Sequence, residues 1–116
     1  MRSTKSVIDN HLKCFSEGDL DGILSDYAQE AVLFTPKAPL KGAGEIRTLF
    51  AAMLVEFGKP GAMFRLERLS VDGEHAYILW TAETAENVYE LGTDTFVVRD
   101  GKIAVQSFAG KITPKH

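Results

Sequence analysis

The sequence predicts an α+β cone: three N-terminal helices packed in the concavity of a strongly curved, mainly antiparallel β-sheet. Three observations predict it. The first half of the chain carries apolar residues at helical spacing, interrupted by one short apolar strand. The second half changes to strand-rich segments. Two Asp-Gly pairs, Asp72-Gly73 and Asp100-Gly101, stand where tight hairpins want positive φ. Helices and a curled sheet in a chain of 116 residues leave the sheet little choice but to wrap the helices, with a conical pocket between them.

The first helix is predicted over residues 4–16, with Val7, Ile8, Leu12 and Phe15 at helical spacing and His11 and Cys14 beside them. Ser3 suits its N-cap and Gly18 the left-handed position after its end. Asp19 can cap a second, shorter helix carrying Leu20, Ile23, Leu24 and Tyr27. Ala31 to Thr35 is too short and apolar for another helix and reads as a buried strand that ends at Pro36 and pairs at a sheet edge. Pro36, Pro39 and Gly42 make a corner. The third helix, about 44–57, gathers Ile46, Leu49, Phe50, Met53, Leu54 and Phe57 on one broad face, and Gly58-Lys59-Pro60-Gly61 stops it.

Four strands follow as a meander: Phe64 to Val71, Ala76 to Thr84, Val88 to Val98 and Lys102 to Lys111. The turn between the second and third is expected near Glu86-Asn87. The tail from Thr113 to His116 is expected to fray.

Composition bounds the function classes. The length fits one domain spanning residues 1–116. Hydrophobic content of 45% and charged content of 25% are those of an ordinary globular chain, large enough to fold without a disulfide or metal. A single Cys14 permits no intrachain disulfide and suits a reducing compartment. The N-terminal stretch lacks an apolar signal-peptide core, and no apolar run nears the ~20 residues of a membrane span. The expectation is a cytoplasmic protein without membrane contact. A net charge of −3 with scattered Lys and Arg gives no electrostatic case for nucleic acid. His11, His75 and His116 show no metal-ligand spacing, and Gly42-Ala43-Gly44 lacks the rest of any phosphate-binding fingerprint, so neither metal nor cofactor is expected.

Alternation along the 88–98 strand puts Glu90, Gly92, Asp94, Phe96 and Val98 on one face and Tyr89, Leu91, Thr93, Thr95 and Val97 on the other. If the first set faces the helices, Asp94 enters an apolar interior where desolvation raises its pKa. The opposite assignment, with Leu91 and Val97 inside, stays open on alternation alone.

The pattern GD-L-x-G-I-L-x-x-Y-A-x-x-A-V at Gly18–Val32, the G-x-x-E-I at Gly42–Ile46 and the run DTFVVRDGKI at Asp94–Ile103 resemble the SnoaL-like branch of the NTF2-like (cystatin-like cone) superfamily over essentially the whole chain. The resemblance specifies fold better than function, because its members include isomerases, cyclases, hydrolases, dehydratases and non-catalytic domains. It implies a homodimer built through the outer sheet face. Carried over from ketosteroid isomerase, the protonated oxyanion-hole aspartic acid falls on Asp94. The general-base aspartate falls on Thr35, whose hydroxyl cannot abstract a proton at neutral pH. The oxyanion-hole tyrosine falls on His11, and two supporting tyrosines fall on Tyr27 and Phe50. Steroid isomerisation is therefore not supported.

The expected pocket gathers Phe15, Tyr27, Leu33, Thr35, Met53, Phe96, Gln106 and Phe108 as ligand-binding residues, with Asp94 and His11 as the candidate acid–base pair. Against that pair stands a plainer role for His11, bonding a backbone carbonyl. Tyr27 equally suits closure of the cone, and Trp80 either lines the pocket or marks a dimer surface. The expected function is binding of a small apolar molecule bearing a carbonyl or hydroxyl. The alternatives are a cofactor-independent isomerase, dehydratase or hydrolase, and a non-catalytic dimeric interaction module.

Overall fold

The computed structural model describes residues 2–116. Helix α1 (Thr4–Glu17) begins where the Ser3 side chain accepts from the Ser6 N–H at 3.1 Å, and ends at Gly18, whose φ of 70° lets its N–H turn back to the Phe15 carbonyl. It buries Val7, Ile8, His11 and Cys14, one stripe two turns long. Helix α2 (Leu20–Ser25) is capped by Asp19, which accepts from the Gly22 N–H at 2.9 Å. Helix α3 (Gly42–Phe57) starts two residues earlier than expected and has no side-chain cap from Lys41.

The sheet has six strands: β1 (Tyr27–Phe34), β2 (Pro39–Lys41), β3 (Met63–Asp72), β4 (His75–Glu83), β5 (Asn87–Arg99) and β6 (Lys102–Pro114). Their order is β2-β1-β6-β5-β4-β3, with β1 parallel to β6 and every other pair antiparallel. The meander is as expected. At its third hairpin, between β5 and β6, Asp100 and Gly101 have φ of 53° and 73°, the double positive a two-residue turn needs.

Three sequence-based expectations are corrected. The first strand starts at Tyr27, not Ala31, because α2 stops at Ser25, so Tyr27 belongs to the sheet rather than to α2. That strand is not at the edge: β2, read from the sequence as a plain corner, pairs with it through Leu33↔Leu40 and takes the edge position. Pro39 is tolerated there as the first residue of an edge strand. The C-terminal tail is paired rather than frayed, since Val88↔Thr113 and Asn87↔Pro114 extend the ladder, and the Lys115 N–H reaches the Glu86 carbonyl at 2.8 Å.

Irregularities in the ladder bend the sheet around the helices. One lies between Leu66 and Arg68 of β3, another between Tyr89 and Leu91 of β5. The second exchanges two faces: Tyr89 turns inward and is buried while Glu90 is exposed, the reverse of simple alternation. Beyond it Gly92, Asp94, Phe96 and Val98 all point inward as one set. Phe96 is fully buried with Ile8, Leu33, Ile46 and Ile103, so α1, α3, β1, β5 and β6 share one core. At the narrow end Asp26, fully buried, accepts from Arg2 Nη1 at 2.6 Å and from Asn10 Nδ2 at 3.0 Å on both oxygens, tying the N-terminus to α1 and the sheet. No helix among the described residues is long and apolar enough to cross a membrane.

Candidate functional site

Between the concave sheet and the helices lies a cavity of about 310 Å³, within the size range of small-molecule sites. Helix α1 contributes His11, Leu12 and Phe15, and α3 contributes Leu49, Phe50, Ala52, Met53 and Glu56. The sheet supplies Leu33, Phe64, Ile78, Trp80, Tyr89, Asp94, Phe96, Gln106, Phe108 and Ile112. The walls are largely aromatic and aliphatic, the carboxyl groups fall in two places, and His11 adds an imidazole.

The first is Asp94. Its Oδ2 accepts from Trp80 Nε1 at 2.8 Å and its Oδ1 from Gln106 Nε2 at 2.8 Å. Gln106 is in turn oriented by the Tyr27 hydroxyl, which donates to its Oε1. The amide is thereby fixed with its N–H group toward the acid, and each carboxyl oxygen is held by one donor. Burial pushes the Asp94 pKa up to about 6, against the two hydrogen bonds, which pull it down. Burial also raises the Tyr27 hydroxyl well above its ordinary value, helped by the charges of Asp94 and Asp26.

The second is Glu56, on the last turns of α3. Its oxygens accept from the Thr84 hydroxyl at 2.6 Å, from Asn87 Nδ2 at 2.9 Å and from the Tyr89 hydroxyl at 2.8 and 2.9 Å. Burial works against its ionisation, but hydrogen bonds from Asn87, Thr84 and Tyr89 together outweigh it and hold its pKa below the ordinary value. The same carboxylate closes the β4–β5 turn, where the Thr84 Oγ1 also accepts from the Glu86 and Asn87 N–H groups.

His11 does not bond Asp94. No hydrogen bond engages its ring, and its Nδ1 is buried without a partner. The imidazole stands edge-on to Tyr27, Phe50 and Phe96, with centroids 5.5–5.7 Å apart. Burial lowers its pKa to about 4, against the pull of Asp26. It is therefore neutral near pH 7 and is not the cationic half of an ion pair with Asp94.

Of the sequence-predicted residues, Phe15, Leu33, Met53, Phe96, Gln106, Phe108, Asp94 and His11 all line this cavity. Tyr27 and Thr35 do not. Tyr27 stands behind Gln106 as its anchor. Thr35 lies past the end of β1, where its hydroxyl donates to the Ala38 carbonyl at 2.9 Å and accepts from the Lys37 and Ala38 N–H groups at 3.2 Å, closing a turn. Trp80 is 4% exposed, which removes it and Tyr89 from any dimer surface. Sequence reasoning missed Glu56, although its spacing from Leu49 and Met53 puts it on the same helical face. Cys14 is a buried thiol beside Asp19 and Gly22, with its pKa raised by burial and by Asp19, and is poorly suited to nucleophilic use. Among the described residues no three His, Cys, Asp or Glu side chains converge as a metal-binding group.

Residues 8–106 match the family model of the SnoaL-like domain. No curated protein matches the chain. Solved structures show the same fold at low identity. SalBIII, an epoxide hydrolase/cyclase-like enzyme of pyran ring formation in the polyether salinomycin, is 18% identical with a TM-score of 0.80, over 93% of this chain and 90% of that one. A candidate polyketide cyclase from Sinorhizobium meliloti is 19% identical with a TM-score of 0.74, over 90% and 94%. An NTF2-like protein of unknown function from Mesorhizobium loti is 23% identical with a TM-score of 0.76, over 93% and 90%.

Proposed function

Because this chain belongs to the SnoaL-like domain family of the NTF2-like superfamily, we propose that its cavity binds a small, largely apolar molecule bearing a carbonyl or hydroxyl, with Asp94 hydrogen-bonding that oxygen. The observation that carries this reading is a buried carboxyl group, oriented by Trp80 and Gln106, in a cavity whose other walls are mostly apolar. Each carboxyl oxygen keeps a lone-pair direction free of its one donor. Protonated, Asp94 donates to a carbonyl; ionised, it accepts from a hydroxyl. The aromatic walls supply the affinity and the acid supplies the orientation.

A second reading is favoured by the same acid. A pKa of about 6 lies near the range in which proton transfer is efficient at neutral pH. A cofactor-independent isomerase, dehydratase or hydrolase would use Asp94 as the proton-exchanging group, with neutral His11 in the wall. Two relatives by fold are named for cyclase or epoxide hydrolase/cyclase-like chemistry, which is compatible with such a carboxyl group. The homodimer and the cytoplasmic location belong to this proposal as well. The outer sheet face, with Tyr77, Leu79 and Val97 half-buried, is the surface for self-association, and sedimentation of a monomer would remove that part.

Trp80 is the chain's one tryptophan and sits in the cavity wall, so its fluorescence reports occupancy directly. Titration with 2-tetralone and 2-naphthol is expected to change Trp80 emission saturably, and Asp94→Asn to weaken both by about tenfold or more. Unchanged affinity in Asp94→Asn would remove the acid from ligand contact. Binding of neither probe would overturn the pocket reading.

A further inference from the structure

The charged groups around this cavity are of one sign. Asp94 and Glu56 line it, and no Lys or Arg does. Neither carboxyl has an ion-pair partner within 4 Å among the described residues; the nearby Lys59 is engaged with Glu86. Donors satisfy part of each group's hydrogen-bonding capacity, but Trp80, Gln106, Thr84, Asn87 and Tyr89 are all neutral. A buried carboxylate ordinarily has a cation beside it, because isolated burial of charge is costly. For Asp94 that counter-charge is missing from the protein, whereas the partly buried Glu56 feels the nearby Lys59 ammonium.

The walls fit what is missing. The indole of Trp80 lies between Phe64, Tyr89 and Phe108, with ring centroids 5.3–6.0 Å apart. Ring faces attract organic cations, most strongly where water is excluded. Here the aromatic wall runs between the Asp94 and Glu56 positions, because Trp80 bonds Asp94 and Tyr89 bonds Glu56. An ammonium group on an apolar body would meet a carboxylate and aromatic rings together, whereas a carboxylate or phosphate would meet two like charges.

We propose that the preferred occupant of this cavity is an apolar amine in its ammonium form, whose cation supplies the counter-charge for Asp94, with Glu56 adding to the negative field of the cavity. The proposal rests on the reading that the cavity binds small apolar molecules and adds the charge class of the ligand. It excludes carboxylates and phosphate esters as natural occupants. The oxygen function recognised in the wider reading then accompanies the amine, as in an amino alcohol or amino ketone.

The test uses three probes on one carbon skeleton: 4-phenylbutylamine, 4-phenylbutan-1-ol and 4-phenylbutanoate, titrated against the full chain with Trp80 emission as the readout at pH 7.5. The amine is expected to bind at least about tenfold tighter than the alcohol, and the carboxylate weakest of the three. Asp94→Asn is expected to weaken the amine well beyond the alcohol, so that most of the amine's advantage is lost. A second arm needs no variant. The titratable groups facing the cavity are His11 from α1, Glu56 from α3, and Asp94 and Tyr89 from β5, with Tyr27 of β1 behind Gln106 and Asp26 beyond His11. Between pH 7.5 and 5 the proton taken up among these belongs to Asp94, so the amine-to-alcohol preference of the wild type should fall across that interval. An alcohol that binds as tightly as the amine, or a preference unchanged by pH, would overturn the proposal while leaving the wider reading standing. Failure of all three probes to bind would overturn both.

Discussion

Gly92 of β5 lies directly beneath the indole of its cross-strand partner Trp80 on β4: a Cβ added at Gly92 would stand 2.3 Å from Cε2 and 2.5 Å from Cζ2 of the ring. The missing side chain is what allows the indole to lie flat on the sheet and aim its N–H at Asp94. Gly92→Ala must therefore move the ring. The expected result is a loss of about 1–3 kcal/mol of stability, a change in Trp80 emission, and a higher Asp94 pKa because one donor to the carboxylate is lost. Denaturation, fluorescence and carboxyl NMR check these, and a variant with native emission would show that the indole was not seated on Gly92.

Asp94 and His11 have opposite pKa shifts in one cavity, and their effects on stability oppose each other. Asp94 is raised from 3.8 to about 6, so between those values the folded state holds a proton that the unfolded state lacks, and its contribution to stability grows as pH falls from about 6 toward 4. His11 is lowered from 6.5 to about 4, so over nearly the same interval the unfolded state holds the extra proton, and stability is lost as pH falls. In the wild type the two nearly cancel. Asp94→Asn should expose the His11 effect, losing on the order of 3 kcal/mol between pH 6.5 and 4, and His11→Phe should gain on the order of 2–3 kcal/mol as pH falls from 6 to 4. Urea denaturation of the three proteins across that range decides it. Parallel pH curves would refute the paired assignment, and carboxylates common to all three, Glu56 included, drop out of the comparison.

Asp26 holds Arg2 and Asn10 at once from a fully buried position. Asp26→Ala strands the Asn10 amide and frees the N-terminus. The expected cost is about 2–3 kcal/mol, moderated because Arg2 is partly solvated and regains water. A urea midpoint shift equivalent to less than about 0.5 kcal/mol would show that solvent replaces these contacts freely.

Glu56 joins the end of α3 to the β4–β5 turn through three side chains. Glu56→Ala should cost about 1–2 kcal/mol, since the group is partly screened by solvent. It should also raise amide exchange at residues 84–87 without changing α1. Hydrogen exchange resolves the two regions, and uniform protection across both would remove Glu56 as the clamp.

Much of this architecture was legible. Helix stripes, Ser3, Gly18 and the Asp100-Gly101 turn act locally and mark their elements directly, while at Asp72-Gly73 only Gly73 enters the turn and Asp72 stays in β3 opposite His75. Asp94 faces inward as the first of the two alternations required. Alternation puts Glu90 on the Asp94 face and Tyr89 on the other, the reverse of the structure, because one bulged residue inverts the faces before it and nothing in the residues themselves marks the bulge. The parallel pairing of β1 with β6 joins positions over seventy residues apart, as in Leu33↔Gln106, and no local signal encodes it. The Trp80–Asp94 bond depends on the β4–β5 register, and its two residues became diagonal neighbours only once Ile78↔Asp94 and Trp80↔Gly92 were known. Thr35 was placed in the pocket by resemblance alone, and its own hydroxyl chemistry closes a turn instead.

The irregularity in β3 has a consequence for solubility. This strand is the free edge of the sheet, ten residues long, with Phe64, Leu66 and Val71 each about two-fifths exposed. Such an edge is a template for pairing with another chain. Arg65, Glu67 and Arg68 crowd its middle, Arg65 bonded to Glu67 at 3.4 Å, at the very place where the ladder slips. Charge and kink together disfavour an incoming strand docking in register along this edge, while Phe64 still reaches the cavity from it.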